Sequence, residues 1–217
     1  MIQSREEAID LYMTYMDKVN RKGKDEFIKW LINDTDFFDD APASGKFHNN
    51  CKFGLIDHSM NVLNYARNLY VFSKKNYPDF PDISGESIII CALHHDLCKV
   101  NFYGKQKAWT KHEYNWIEYE EYKAGKGSDN FNIGHGEKSV IMILRKGFEL
   151  TEQEMLAIRF HMGSFSVYNE IDYENVKKDP LVYLIHLADM SSCMVEKTID
   201  YKELAIKNYI KKITGGQ

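Results

Sequence analysis

A run of six apolar residues, Ile88 to Leu93, leads without a Gly or Pro into His94, His95 and Asp96. Six consecutive apolar side chains leave no face for water, so this segment must be buried. It is far too short to span a bilayer. Its isoleucines suit a strand, but the run continues unbroken through CALHHDLCK, which predicts a buried helix from about Ser84 to Cys98. On a helix His95 and Asp96 diverge by about 100°, yet both can reach one ion lying between them. Lys99 follows at i+4 from His95 and i+3 from Asp96 and shares their face. A cation beside a metal–carboxylate centre is well placed to hold a phosphate.

The rest of the chain also reads as helical. An S-x-x-E capping box at Ser4 and Glu7 opens a first helix, and Lys24–Leu31 forms a second. Residues 34–50 read as a loop. Apolar spacing then predicts helices over Leu55–Asn76, Gly136–Lys146, Thr151–Met162, Pro180–Val195 and Tyr201–Lys212. Thr151 with Glu154 is a second capping box, and Gly163 fits a helix C′ position. Residues 99–123 alternate aromatic and Lys residues, as in a β-hairpin or an irregular flap. The expectation is an all-α single domain over residues 1–217, with 1–44 an N-terminal helical extension packed on it.

A net charge of −4 does not favour a nucleic-acid coat. Four cysteines form no C-x-x-C pair, which excludes zinc-ribbon and thioredoxin-like readings. The charged start, MIQSREEAID, has no apolar leader, and a reducing, cytoplasmic setting without membrane attachment is expected.

Other polar residues stand out by position. His58 opens a helix in GLIDHS, His135 lies between glycines in NIGHGEKS, and His161 ends AIRFHMG. Asp189 sits in the apolar LIHLADM, where an unpartnered carboxylate is expensive to bury and a metal would satisfy it. His186, one turn before Asp189, shares its face and is a candidate to orient a ligand or touch substrate. Asn61, one turn after His58, reads as a half-exposed polar residue. His94 points away from His95 and reads as packing or support for a ligand. His48 and Lys52, in the preceding loop, are weaker candidates for the same site. His112 reads as solvated. Glu137 reads as support for His135 or as a favourable charge in a first helical turn. The flap interleaves Tyr103, Trp109, Tyr114 and Trp116 with Lys105, Lys107 and Lys111. That mixture suits stacking and phosphate contact, with Lys111 a substrate-binding candidate, or a hairpin burying its aromatics against the helices.

The ordered set His58, His95–Asp96 and Asp189 resembles the signature of the HD superfamily of metal-dependent phosphohydrolases. The intervening His135 and His161 resemble its dinuclear branch, which includes cyclic-nucleotide phosphodiesterases. The resemblance spans roughly residues 45–195. The position two after Asp96, often a small residue in that family, is Cys98, and no GYP-type motif follows. The resemblance implies an HD-type helical bundle. It implies a first metal on His58, His95, Asp96 and Asp189, with Asp96 bridging to a second completed by His135 and His161. Imidazole and carboxylate donors suit Mn, Fe, Co, Ni or Zn, as one or two ions. It implies hydrolysis of a phosphomono- or phosphodiester, in a small molecule, a nucleotide or a nucleic-acid end, by a metal-activated water, with Asp96 and Lys99 as the catalytic pair. The same ligand set is compatible with a di-iron oxygenase or with a regulatory module that binds nucleotide without turnover.

Overall fold

The computed structural model describes residues 2–129, 131, 133–163 and 176–214. Among these are eight α-helices and one two-stranded antiparallel sheet. In chain order they are α1 (Arg5–Met16), α2 (Lys24–Asn33), α3 (Gly54–Asn76), α4 (Gly85–His94), a 3-10 turn (Leu97–Lys99), β1 (Tyr103–His112) and β2 (Asn115–Ala124). Then come α5 (His135–Arg145), α6 (Glu152–Arg159), α7 (Pro180–Val195) and α8 (Tyr201–Ile213). The chain is thus mostly helical with a small hairpin after the His95–Asp96 pair. No described helix is long and apolar enough to cross a membrane.

Buried α4 lies against α3, α6 and α7, α3 and α7 pack along each other, and α5 rests on α6 and the 3-10 turn. Ile88 to Leu93 are all in the core, as six consecutive apolar residues demand. Of the two expected capping boxes, one forms in full, and at the other only the Ser4 side chain accepts from the Glu7 amide. Thr151 and Glu154 bond reciprocally, whereas Glu7 reaches back to the Gln3 amide at 2.7 Å rather than to that of Ser4. Asp179 caps α7, with Pro180 in the first turn, where its missing N–H costs nothing.

Two helices end earlier than the apolar periodicity predicts. α4 stops at His94, because Asp96 leaves helical geometry at φ −104°, ψ 20° and the chain tightens into the 3-10 turn. A 3-10 helix has three residues per turn, so Asp96 and Lys99 still stand one above the other. α6 stops at Arg159, with Phe160 at φ −104°, ψ 16°. Gly163 does adopt the left-handed conformation at φ 60°, but beyond the helix cap rather than at C′.

Most of segment 99–123 belongs to a regular hairpin, paired from Tyr103↔Ala124 to His112↔Asn115 around a two-residue turn. Strand side chains alternate between faces. Ile117 and Tyr119 turn towards Tyr201, Leu204 and Tyr209 of α8. Trp109 and Trp116 lie on the opposite face, 56% and 69% exposed, and Tyr114 at the turn is 95% exposed. The expectation that the hairpin buries these aromatics is therefore corrected: the two tryptophans lie on the face turned away from α8, and Tyr114 sits in the turn. His112 packs edge-on to Tyr209 at 6.4 Å rather than standing free in solvent.

Candidate metal centre

Five buried side chains from four places in the chain converge. His58 comes from the first turn of α3, His95 and Asp96 from the end of α4, His161 from the turn after α6, and Asp189 from the middle of α7. His58 Nε2 lies 3.1 Å from His95 Nε2 and 3.2 Å from Asp189 Oδ1. Asp96 Oδ2 stands 3.6 Å from His58 Nε2 and 3.5 Å from His95 Nε2. Asp96 Oδ1 stands 3.5 Å from His161 Nε2.

The far nitrogen of each imidazole is tied down. His58 Nδ1 donates to the Glu196 carboxylate at 3.0 Å, His95 Nδ1 to the Ala92 carbonyl at 2.9 Å, and His161 Nδ1 to the Ile158 carbonyl at 2.6 Å. These partners only accept, so each Nδ1 carries a proton and each Nε2 is the ring nitrogen turned inward. Two lone pairs facing each other at 3.1 Å need a proton or a cation between them. His161 Nε2 is fully buried and has no hydrogen-bond partner. Donor atoms bound to one ion at about 2.1 Å keep about this mutual spacing, so these residues fit a divalent metal.

The electrostatics point the same way. Burial opposes charge on His58, yet Asp189, Asp96 and Glu196 outweigh it and raise its pKa well above the ordinary histidine value. Asp96 does the same for His161. His95 is lowered, chiefly by burial. Despite burial, Lys99 and His95 hold Asp96 well below the aspartate range, and His58 and His95 do so for Asp189. Lys99 is almost buried and ion-paired with Asp96. Asp96 outweighs burial and keeps its ammonium charged.

Further donors flank the five. His135, the first residue of α5, is exposed, with Nδ1 3.4 Å from Cys98 Sγ, and Cys98 Sγ is 4.0 Å from Asp96 Oδ1. On the opposite side His48 reaches the centre from its loop. Its ring lies 4.9 Å from that of His58, and its Nε2 is 3.6 Å from Cys193 Sγ. Potential metal-ligating groups are thus His58–His95–Asp96, His95–His161–Asp189, Asp96–Cys98–His135 and His48–His58–Cys193.

Supporting residues fall into place around them. His186 Nδ1 donates to the His161 carbonyl at 2.6 Å, holding the turn that carries His161. Asn61, far from being a bland surface residue, donates to Glu196 at 2.8 Å. His94 is a core residue: Nδ1 donates to the Ile90 carbonyl, Tyr12 donates to Nε2 at 2.8 Å, and burial lowers its pKa to about 3. Glu137 pairs with Arg159 at 2.7 Å, tying α5 to α6 instead of supporting His135. Lys52 lies exposed over Phe53.

Lys111 is not brought to the site. It is exposed near the hairpin tip, eight residues and about 26 Å along the strand from Tyr103 at 3.3 Å per residue. Lys105 and Lys107 are engaged by Asp40 and Glu118. Glu196 and Cys193 also reach the centre without being singled out by the sequence, and Cys98, which stands out only as a departure from the family pattern, lies beside Asp96. Cys193 and Glu196 follow Asp189 by four and seven residues, one and two turns along the same helix face, and that spacing was the available signal.

No family model matches the chain, and no curated protein or solved structure is significantly similar to it.

Proposed function

We propose that this chain is a metal-dependent phosphohydrolase of the HD type, acting on a phosphomono- or phosphodiester. The observation that carries the reading is the inward convergence of the His58, His95 and His161 Nε2 atoms on the Asp96 and Asp189 carboxylates, with every Nδ1 already bonded elsewhere. His58, His95, Asp96, Asp189 and His161 would hold the ion. A divalent transition metal bound there supplies Lewis acidity towards a phosphoryl oxygen and lowers the pKa of a nearby water.

The chain's own residues add the rest. Lys99 stays cationic beside Asp96 and can neutralise phosphate charge at the centre. A cavity of about 390 Å³ opens next to it, lined by Cys98, Phe102, Phe131, Gly134, His135 and Lys138. Among the described residues no side chain caps the start of α5 at this cavity, and uncapped helix amides favour an anion. Aromatic rings with a cation and a helix start suit a phosphoester carrying a planar or apolar group. Lys111 has no part in this reading, and His186 acts on the position of His161.

The test combines metal analysis with hydrolysis of nitrophenyl phosphate mono- and diesters after loading with Mn, Co, Ni or Zn. Asp96→Ala and Asp189→Ala should lose both metal and activity. Lys99→Met should keep metal and lose about 100-fold in turnover. Metal content and hydrolysis surviving Asp96→Ala would sink the proposal. Iron as the bound metal, with O₂ consumption and no hydrolysis, would replace it by the oxygenase.

A further inference from the structure

We infer that the protein carries a ligand site outside the metal centre, on the C-terminal half of α5, which takes an aromatic phosphate ester. The site stands independently of the metal-centre reading, since none of its charged groups belongs to that cluster.

One face of α5 builds it. Lys138, Met142, Arg145 and Lys146 recur at helical spacing, the last as the residue that caps the helix. They line a cavity of about 410 Å³ together with Trp30 of α2 and Phe131. That volume lies in the usual range for small-molecule sites. The cavity is distinct from the one beside Cys98 and His135; among the described residues the two share Phe131 and Lys138. Arg145 lies ten residues beyond His135, about 15 Å along the helix at 1.5 Å per residue. Lys138 is buried and ion-paired with Asp129, so that pair adds no net charge.

Arg145 and Lys146 do add charge. Lys146 Nζ stands 4.8 Å from the centre of the Trp30 ring, and the Arg145 guanidinium carbon 4.9 Å from that of Phe131. A ring positions a cation through its quadrupole but carries no charge to neutralise it. Among the described residues neither cation has a carboxylate partner, whereas Lys22 and Lys29 are paired with Glu149 and Glu26. The C-terminal dipole of α5 supplies about half a negative charge, too little to offset two cations. The chain's net charge of −4 does not offset them either, because exposed charges more than about 8 Å apart are largely screened at physiological salt.

Two uncompensated cations beside two rings define the ligand. The Arg145 fork and the Lys146 point charge suit the oxygens of a dianionic phosphate. Trp30 is half-buried and Phe131 36% exposed, so both rings offer surface to a flat apolar body. Inorganic phosphate would satisfy the cations and leave the rings wet, and an uncharged nucleoside would do the reverse. A compound with both parts, such as a nucleoside monophosphate, matches the whole cavity.

The experiment follows Trp30 emission in the metal-depleted full-length chain carrying Trp109→Phe and Trp116→Phe, which leaves Trp30 as the only indole. The probes are adenosine 5′-monophosphate, inorganic phosphate and adenosine. The expected result is a saturable emission change at one equivalent of the monophosphate, with binding at least about 10-fold tighter than that of either half. Arg145→Gln combined with Lys146→Gln, both at exposed positions, should weaken binding about 10-fold or more with far-ultraviolet circular dichroism unchanged. His135→Asn, in the metal-side cavity, should leave binding as it was. No saturable change, or equal binding by the Arg145/Lys146 variant, would overturn the inference. Binding lost in His135→Asn and kept in the Arg145/Lys146 variant would place the ligand in the metal-side cavity and overturn it too. Inorganic phosphate binding as tightly as the monophosphate would overturn it as an aromatic site.

Discussion

Glu196 determines which way His58 faces. By accepting from Nδ1 it fixes the tautomer and leaves Nε2 free for an ion, and Asn61 in turn holds Glu196. Glu196→Ala should therefore weaken metal binding about 10–100-fold, the usual effect of removing such an outer partner. Competition against a chromophoric chelator measures this; unchanged affinity would show that packing alone orients His58. Of the candidate ligands, Asp189 was legible because an ionisable group in the apolar LIHLADM announces itself, whereas His58, His135 and His161 stood out as a set only through the HD resemblance. Glu196 was not, since it stands at the C-terminal cap of α7 and gains its role only through a partner 138 residues away. His48 was legible only as a loop histidine, because folding rather than spacing sets it beside His58.

At the scale of elements, the α5–α6 contact decides where His135 stands. Gly136 lies directly against the Arg159 backbone, and a Cβ there would overlap the Arg159 carbonyl oxygen. Gly136→Ala should force α5 outward, destabilising the protein by about 1–3 kcal/mol as other overpacked contacts do. Urea denaturation checks the stability. A variant as stable as the parent would mean that α5 can shift freely. Helix positions were readable from apolar periodicity and caps, and the hairpin from its alternation. The ends of α4 and α6 were not, because Asp96 and Phe160 leave helical geometry where the chain enters the polar cluster, against what local sequence favours.

Across the whole molecule, a buried carboxylate joins segments far apart in sequence. Glu154 accepts from both Arg21 guanidinium nitrogens, at 2.8 and 3.0 Å, and from Ser87 Oγ at 2.8 Å, besides closing its own capping box. It thereby ties the α1–α2 connection, α4 and α6 together. Glu154→Gln should cost about 3 kcal/mol, the low end for breaking a buried pair, because Arg21 retains some solvent contact. Burial opposes ionisation of Glu154, but Arg21, the Thr151 amide and Ser87 prevail and bring its pKa below the ordinary 4.5. A depressed folded pKa gives stability that is complete above the unfolded value and lost as pH falls through the folded one. The difference in stability between wild type and Glu154→Gln should thus be full at neutral pH and shrink below about 4.5. A pH-independent difference would assign the loss to packing. None of this network could be read from sequence beyond the capping box, because Arg21 and Ser87 meet Glu154 only in three dimensions.

The outward tryptophans make the hairpin the protein's own reporter. Of three indoles, Trp109 and Trp116 are on its open face, and Trp30 lies under Lys146 on α2. None is at the buried His–Asp cluster, so native emission should already be red-shifted. Melting followed by fluorescence will chiefly track the hairpin, while far-ultraviolet circular dichroism tracks the helices around the ligands. If the hairpin detaches from α8 before the bundle opens, the two curves will separate; if they coincide, hairpin and bundle unfold as one unit.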